Sequence, residues 1–183
     1  MKKLILSLCV IVGLSANAQI YKAKKEGSSI HFLSKSPLED IEATNKSPIA
    51  AFKPETNDLQ FGVVMTDFKF KAALMEEHFN ENYMESTKFP QAIFKGKVNE
   101  KVDLAVDGEN KVTVTGKMTL HGVTKDVTAQ GTMTKKGNDL ILKSTFKIKV
   151  ADYNIKVPSL YVQNIAEVVD VDVNVIMEPF VKK

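Results

Sequence analysis

The chain has 183 residues, 44% of them hydrophobic, with 25 basic and 22 acidic side chains and a formal charge of +3. Every basic residue is Lys, a point charge without the planar fork that reads phosphate or guanine, which argues against sequence-specific nucleic-acid recognition. The single cysteine is Cys9, so a domain lacking the first residues has no disulfide, thiolate metal site or Cys nucleophile.

Residues 1–18 read as an export signal: Lys2 and Lys3, an apolar run from Leu4 to Leu14, then Ala16-Asn17-Ala18 before Gln19. The run is too short to span a bilayer as a helix, and no other apolar stretch approaches that length. A lipoprotein signal built on Cys9 is disfavoured, because Leu8 is not small and the apolar run continues past the cysteine. Cleavage after Ala18 leaves one expected domain, residues 19–183, in the periplasm or outside the cell. Loss of Lys2 and Lys3 brings its net charge to about +1, so charge says little about partners. A domain of this size buries about 70% of the surface of its unfolded chain, enough for one core without staples.

The elements follow in order. Glu26-Gly27 is a turn signal, and the stretch Ser36–Pro54, with Pro37, Pro48 and Pro54 around Leu38–Ala43, is expected to hold a short helix. Between Asp58 and Ala72 the apolar face changes parity: Phe61, Val63 and Met65 lie on one, Phe68, Phe70 and Ala72 on the other. Either a bulge near Thr66-Asp67 restores a single inward face, or the first half is buried on both sides. From Leu74 the period changes. Met75, Phe79 and Tyr83, with Met84 alongside, recur at the step of one helix face, and Pro90 ends the helix by about Lys88 and starts a strand over Gln91–Val98.

Strict alternation then returns. Val112, Val114, Met118 and Leu120 share a face, with Gly116 in line at a position that suits a bend or close approach. Asp107–Asn110 and Lys136–Asp139 read as hairpin turns. Leu140, Leu142, Phe146, Ile148 and Val150 form a buried face opposite Lys143, Thr145, Lys147 and Lys149, with Ser144 the one polar intruder. Val169 to Met177 alternate in the same way against Asp170, Asp172 and Asn174. Consecutive antiparallel strands with short turns and one inserted helix predict an all-β barrel or sandwich with a helical flap.

Chemical motifs are sparse. The histidines, His31, His78 and His121, fall in three different elements. His78 beside Glu76, Glu77 and Glu81 lacks the paired spacing of a zinc-hydrolase helix and reads as the boundary of a solvated acidic face. No nucleophile elbow or phosphate loop is present, so nothing assigns a nucleophile, base and oxyanion donors. The remaining signal is aromatic. Phe68, Phe70, Phe79, Tyr83, Phe89, Phe94, Met118 and Phe146 lie on inward faces or on the apolar stripe of the helix and are the candidate cavity residues, with Met75 and Met84 as adaptable contacts. The competing reading is that they simply fill a small barrel.

Two segments carry a family resemblance: Lys88-Phe89-Pro90-x-Ala92-x-Phe94 after a helix with a His, and Gly116–Val127, reading GKMTLHGVTKDV. Together they resemble the YceI family of bacterial envelope proteins over nearly the whole mature chain. The resemblance implies a lipocalin-like antiparallel β-barrel of about eight strands with a short helix near its mouth. It also implies an elongated apolar cavity for a polyisoprenoid or similar lipid, without cofactor or catalysis. Departures concern the ligand: Glu76-Glu77-His78 replaces an Arg-Asp pair before the helix His, and Ala151-Asp152-Tyr153-Asn154 replaces an Arg-x-Asp-Phe element. Two functions follow as expectations: a periplasmic lipid carrier or store, or a cell-envelope scaffold with a filled barrel and a protein partner. Interior volume separates them.

Overall fold

A computed structural model of the chain describes residues 19–157 and 165–180; the expected export segment lies outside them. The strands are β1 (Ile20–Ala23), β2 (Ser29–Ser34), β3 (Ile41–Asn45), β4 (Ile49–Lys53), β5 (Asp58–Val64), β6 (Phe68–Phe70), β7 (Gln91–Val98), β8 (Gly108–Leu120), β9 (Val123–Lys136), β10 (Asp139–Lys149) and β11 (Val168–Phe180). Eight of them, β1, β4, β5, β7, β8, β9, β10 and β11, close an antiparallel ring in which β11 returns to β1. Strands β2, β3 and β6 extend the wall at one end, β2 pairing with the same β11 that pairs with β1.

The chain from β1 to β6 therefore runs as three broken pairs, β1/β2, β3/β4 and β5/β6, and side chains repair the backbone at the first two breaks. Between β1 and β2 the buried Ser28 hydroxyl accepts from the Ile176 N–H at 3.0 Å and donates to the Ile176 carbonyl at 3.3 Å. Between β3 and β4 the fully buried Asn45 donates to the Val64 carbonyl at 2.9 Å and accepts from the Ser47 N–H at 2.8 Å. Each polar group is buried only because it is paired.

Two local expectations need correction. Leu38–Ala43 holds no helix; its second half is β3, because Ile41 and Ala43 alternate with Glu42 and Thr44 and the segment is paired by β2 on one side and β6 on the other. The parity change after Val64 is neither a bulge nor two-sided burial but a 3-10 turn, Met65–Asp67, that shifts the chain from pairing with β4 and β7 to pairing with β3 and turns Phe68 inward. The helix is α1 (Ala73–His78), which widens into a π-helical turn over Phe79–Tyr83, where the Met84 N–H bonds the Phe79 carbonyl at 2.8 Å. Glu85, in the left-handed region at φ 44°, then ends it.

The interior divides in two. Phe52, Leu59, Met133, Leu140, Val175 and Met177 are fully buried and belong to one packed cluster that plugs the end where β1 begins and β11 finishes. A second cluster, including Met65, Phe68, Met118 and Tyr153, lies toward the end that carries α1. Gly96 faces Gly116 across β7 and β8. A Cβ on Gly116 would strike the Lys95 carbonyl and sit 2.8 Å from the Phe94 ring, so the backbone approach the sequence hinted at is real.

Candidate ligand cavity

The half of the barrel near α1 is hollow, with a cavity of about 470 Å³ whose wall comes from β2, β3 and β5 to β11, together with α1 and the segment after β10. The inward parity of each strand builds it: Phe61 and Val63 from β5, Val114 and Met118 from β8, Val169, Val171 and Val173 from β11. The apolar run does not stop at the cavity floor; Val175 and Met177 continue it into the packed plug.

Seven of the eight sequence candidates, Phe68, Phe70, Phe79, Tyr83, Phe94, Met118 and Phe146, line this space, as do Met75 and Met84. Phe89 does not. The Lys88-Phe89-Pro90 step turns its ring edge-on to the His121 imidazole, with centroids 4.5 Å apart, so it packs behind the wall. The roof is aromatic: Phe79 stacks on Phe32 at 5.5 Å and meets Phe68 at 5.7 Å and Phe70 at 5.0 Å. Such ring pairs contribute about 0.5–1.5 kcal/mol each beyond their buried area.

Polar lining among the described residues is limited to Ser34, Glu39, His78, Tyr83 and Ser144, and no lysine lines the space. Glu39 and His78 are therefore the ionisable acid and imidazole of the lining among the described residues. Glu76, beside His78, is turned away to Lys69 Nζ at 2.6 Å, and that hydrogen bond holds its carboxyl below the usual range. His31 lies apart, between Glu42 at 3.2 Å and Asp172 at 3.7 Å. Among the described residues no group of three His, Cys, Asp or Glu side chains is gathered around a metal-sized space.

One cluster was not legible in the sequence. His121, buried in the left-handed β8–β9 turn at φ 50°, meets the Tyr153 carbonyl through Nδ1 at 3.0 Å and the Glu85 carboxylate through Nε2 at 2.9 Å. It clasps the end of the helical flap, a hairpin tip and the segment after β10. The partners lie 32 and 36 residues away, so no local spacing announces them. Burial pushes the Tyr153 phenol up, with Asp152 adding to the shift.

A closed eight-stranded antiparallel barrel, plugged at one end and hollow and apolar at the other under a short helical flap, defines a lipocalin-like protein. Residues 21–177 match the YceI-like domain, and the chain belongs to the YceI family. It is 29% identical over 110 residues to Protein YceI of Shigella flexneri, covering 56% of this chain and 54% of that one. It is also 29% identical over 132 residues to a UPF0312 protein of Pseudomonas putida, covering 67% and 63%. The matches thus span less than two thirds of the length of either relative. Among solved structures, a polyisoprenoid binding domain from Saccharophagus degradans implicated in plant cell wall breakdown superposes with a TM-score of 0.74 at 17% identity, covering 89% of this chain and 99% of that one. BcnA of Burkholderia cenocepacia gives 0.71 at 20% identity, covering 84% and 98%.

Proposed function

We propose that this protein is a non-catalytic lipid-binding barrel of the periplasm that holds one long apolar chain, a polyisoprenoid or a similar lipid, as a carrier or store. The observation that carries the reading is the blind apolar cavity of about 470 Å³, a volume ordinary for small-molecule sites. Burial of about ten chain carbons at about 0.8 kcal/mol each contributes about 8 kcal/mol, the gross energy of micromolar binding, without any polar contact. Such a site needs no catalytic constellation and leaves no motif. The solved polyisoprenoid binding domain with the same fold supports the ligand class. Location rests on the export signal read in residues 1–18 and on a mature domain of residues 19–183.

The rival scaffold reading asks for a filled interior. The plug satisfies it for one half, and the hollow half favours the carrier.

Native and denaturing mass spectrometry of the mature protein, purified from its own periplasm without detergent and then extracted with organic solvent, tests the reading. A stoichiometric lipid of long chain is the expected result. An empty protein that also fails to take up added polyprenols would overturn it.

A further inference from the structure

The wall of the hollow half is split. The ladder between β9 and β10 runs from Asp139 opposite Lys136 to Ser144 opposite Gly131 and stops there. Past that point β9 continues to Val123, paired only with β8, and β10 continues to Lys149, paired only with β11. The same register would set Thr145–Lys149 against Gln130–Asp126, but no backbone pairing joins them.

The fork is built into the sequence. A Cβ on Gly131 would run into the Lys143 carbonyl, so only glycine lets the strands meet this closely where they part. Ser144, the polar intruder on an apolar face, donates its hydroxyl to the Gln130 carbonyl at 2.7 Å and satisfies the first backbone acceptor beyond the ladder. At the other end the gap is bounded by the His121 clasp to Tyr153. Its free edge on β10, Thr145–Lys149, is about 17 Å long at the usual strand rise.

Across the gap the inner lips are apolar. Val127 and Ala129 on β9 and Phe146 and Ile148 on β10 are half-buried and line the cavity. The outward residues Thr128 and Lys147 are exposed. Lys125, Lys147 and Lys149 along the two edges are the charge pattern that blocks pairing with another strand, which argues against a docked peptide.

We propose that this gap is a lateral portal through which a single long apolar chain passes side-on into the cavity, its polar head remaining in water at the outer lips; the inference rests on the lipid-binding reading. The competing way in, past α1, requires Phe79 to leave Phe32, Phe68 and Phe70. Passage between β9 and β10 breaks no ladder bond.

The test uses the mature protein, whose expected chain 19–183 contains no native cysteine. Thr128→Cys and Lys147→Cys are introduced together and bridged by a bis-methanethiosulfonate reagent, which reduction removes. Each single variant, treated identically, is the control. Uptake of cis-parinaric acid, a long-chain polyene that fluoresces in apolar surroundings, is followed by stopped flow. The expected result is an uptake rate at least tenfold lower in the bridged protein, restored by reduction, with release from protein loaded before bridging slowed to match. Uptake by the bridged protein as fast as by the single-variant controls would overturn the portal and leave lipid binding standing. No uptake by the unaltered protein would overturn the binding reading and the portal with it.

Discussion

Removing the same side chain from the two halves of the barrel should cost very different amounts. Phe52 is fully buried in the plug, in the same cluster as Leu59, Leu140 and Met177. Phe52→Ala leaves a hole among close-packed groups and should destabilise the protein by about 3–5 kcal/mol, since lost transfer energy and a new cavity add together. Phe146 is half-buried and faces a space that already exists. Phe146→Ala loses about half the transfer energy and creates no new void, so about 1–2 kcal/mol is expected. In urea, with a slope of about 2 kcal/mol/M, the two midpoints should differ by about 1 M at unchanged slope. Thermal scans should separate them by about 4–10 °C. Equal losses, within about 0.5 kcal/mol, would refute the division of the interior into a packed and a hollow half.

Three further predictions follow from particular contacts. His121→Ala removes the clasp and strands the Tyr153 carbonyl and Glu85, so the urea midpoint should drop by the equivalent of about 1–3 kcal/mol; an unchanged midpoint would show that the clasp holds nothing. Gly116→Val drives a side chain into the Lys95 backbone and the Phe94 ring, and a loss of at least about 1–3 kcal/mol is expected in the same assay, while an undisturbed protein would contradict the close approach of β7 and β8. Glu42, Glu76 and Asp170 are held below the usual carboxylate range, chiefly by hydrogen bonds from Lys71, Lys69 and Lys147 respectively. Because their folded values lie below their unfolded ones, the stability they add is complete above about pH 5 and is lost as pH falls through the folded values; a urea midpoint that rises on acidification below about pH 4 would contradict those pairings.

Much of the barrel was readable because period 2 is a strong signal over long strands. The runs that became β8, β10 and β11 lie where alternation placed them, β7 starts where Pro90 placed it, and the expected helix lies in the right segment. Short strands were harder. β3 has five residues and β6 has three, too few to declare a period against Pro-rich flanks, and both are fixed by partners far away in sequence. Of the cavity, the aromatic and Met side of the wall was legible from inward parity. Phe89 was misplaced because parity across a Pro step does not say which side of the wall a ring takes. The small side of the wall, Val127 and Ala129, carried no distinguishing chemistry, and the meaning of Ser144 as the marker of a fork depends on where a ladder ends, which no single strand reveals.

The plug has an evolutionary corollary. Folding energy concentrated at one end of a cylinder leaves the other end free to change the shape of its interior, much as a vessel keeps its base while its bowl is recut. Substitutions at half-buried residues that face the cavity, such as Phe146 and Val127, meet empty space on one side and so escape the severe packing penalty that guards the base. Solved barrels sharing only 17% and 20% of residues with this chain keep the same architecture. In such a design, inheritance of the fold and the shape of the cavity are separately mutable traits.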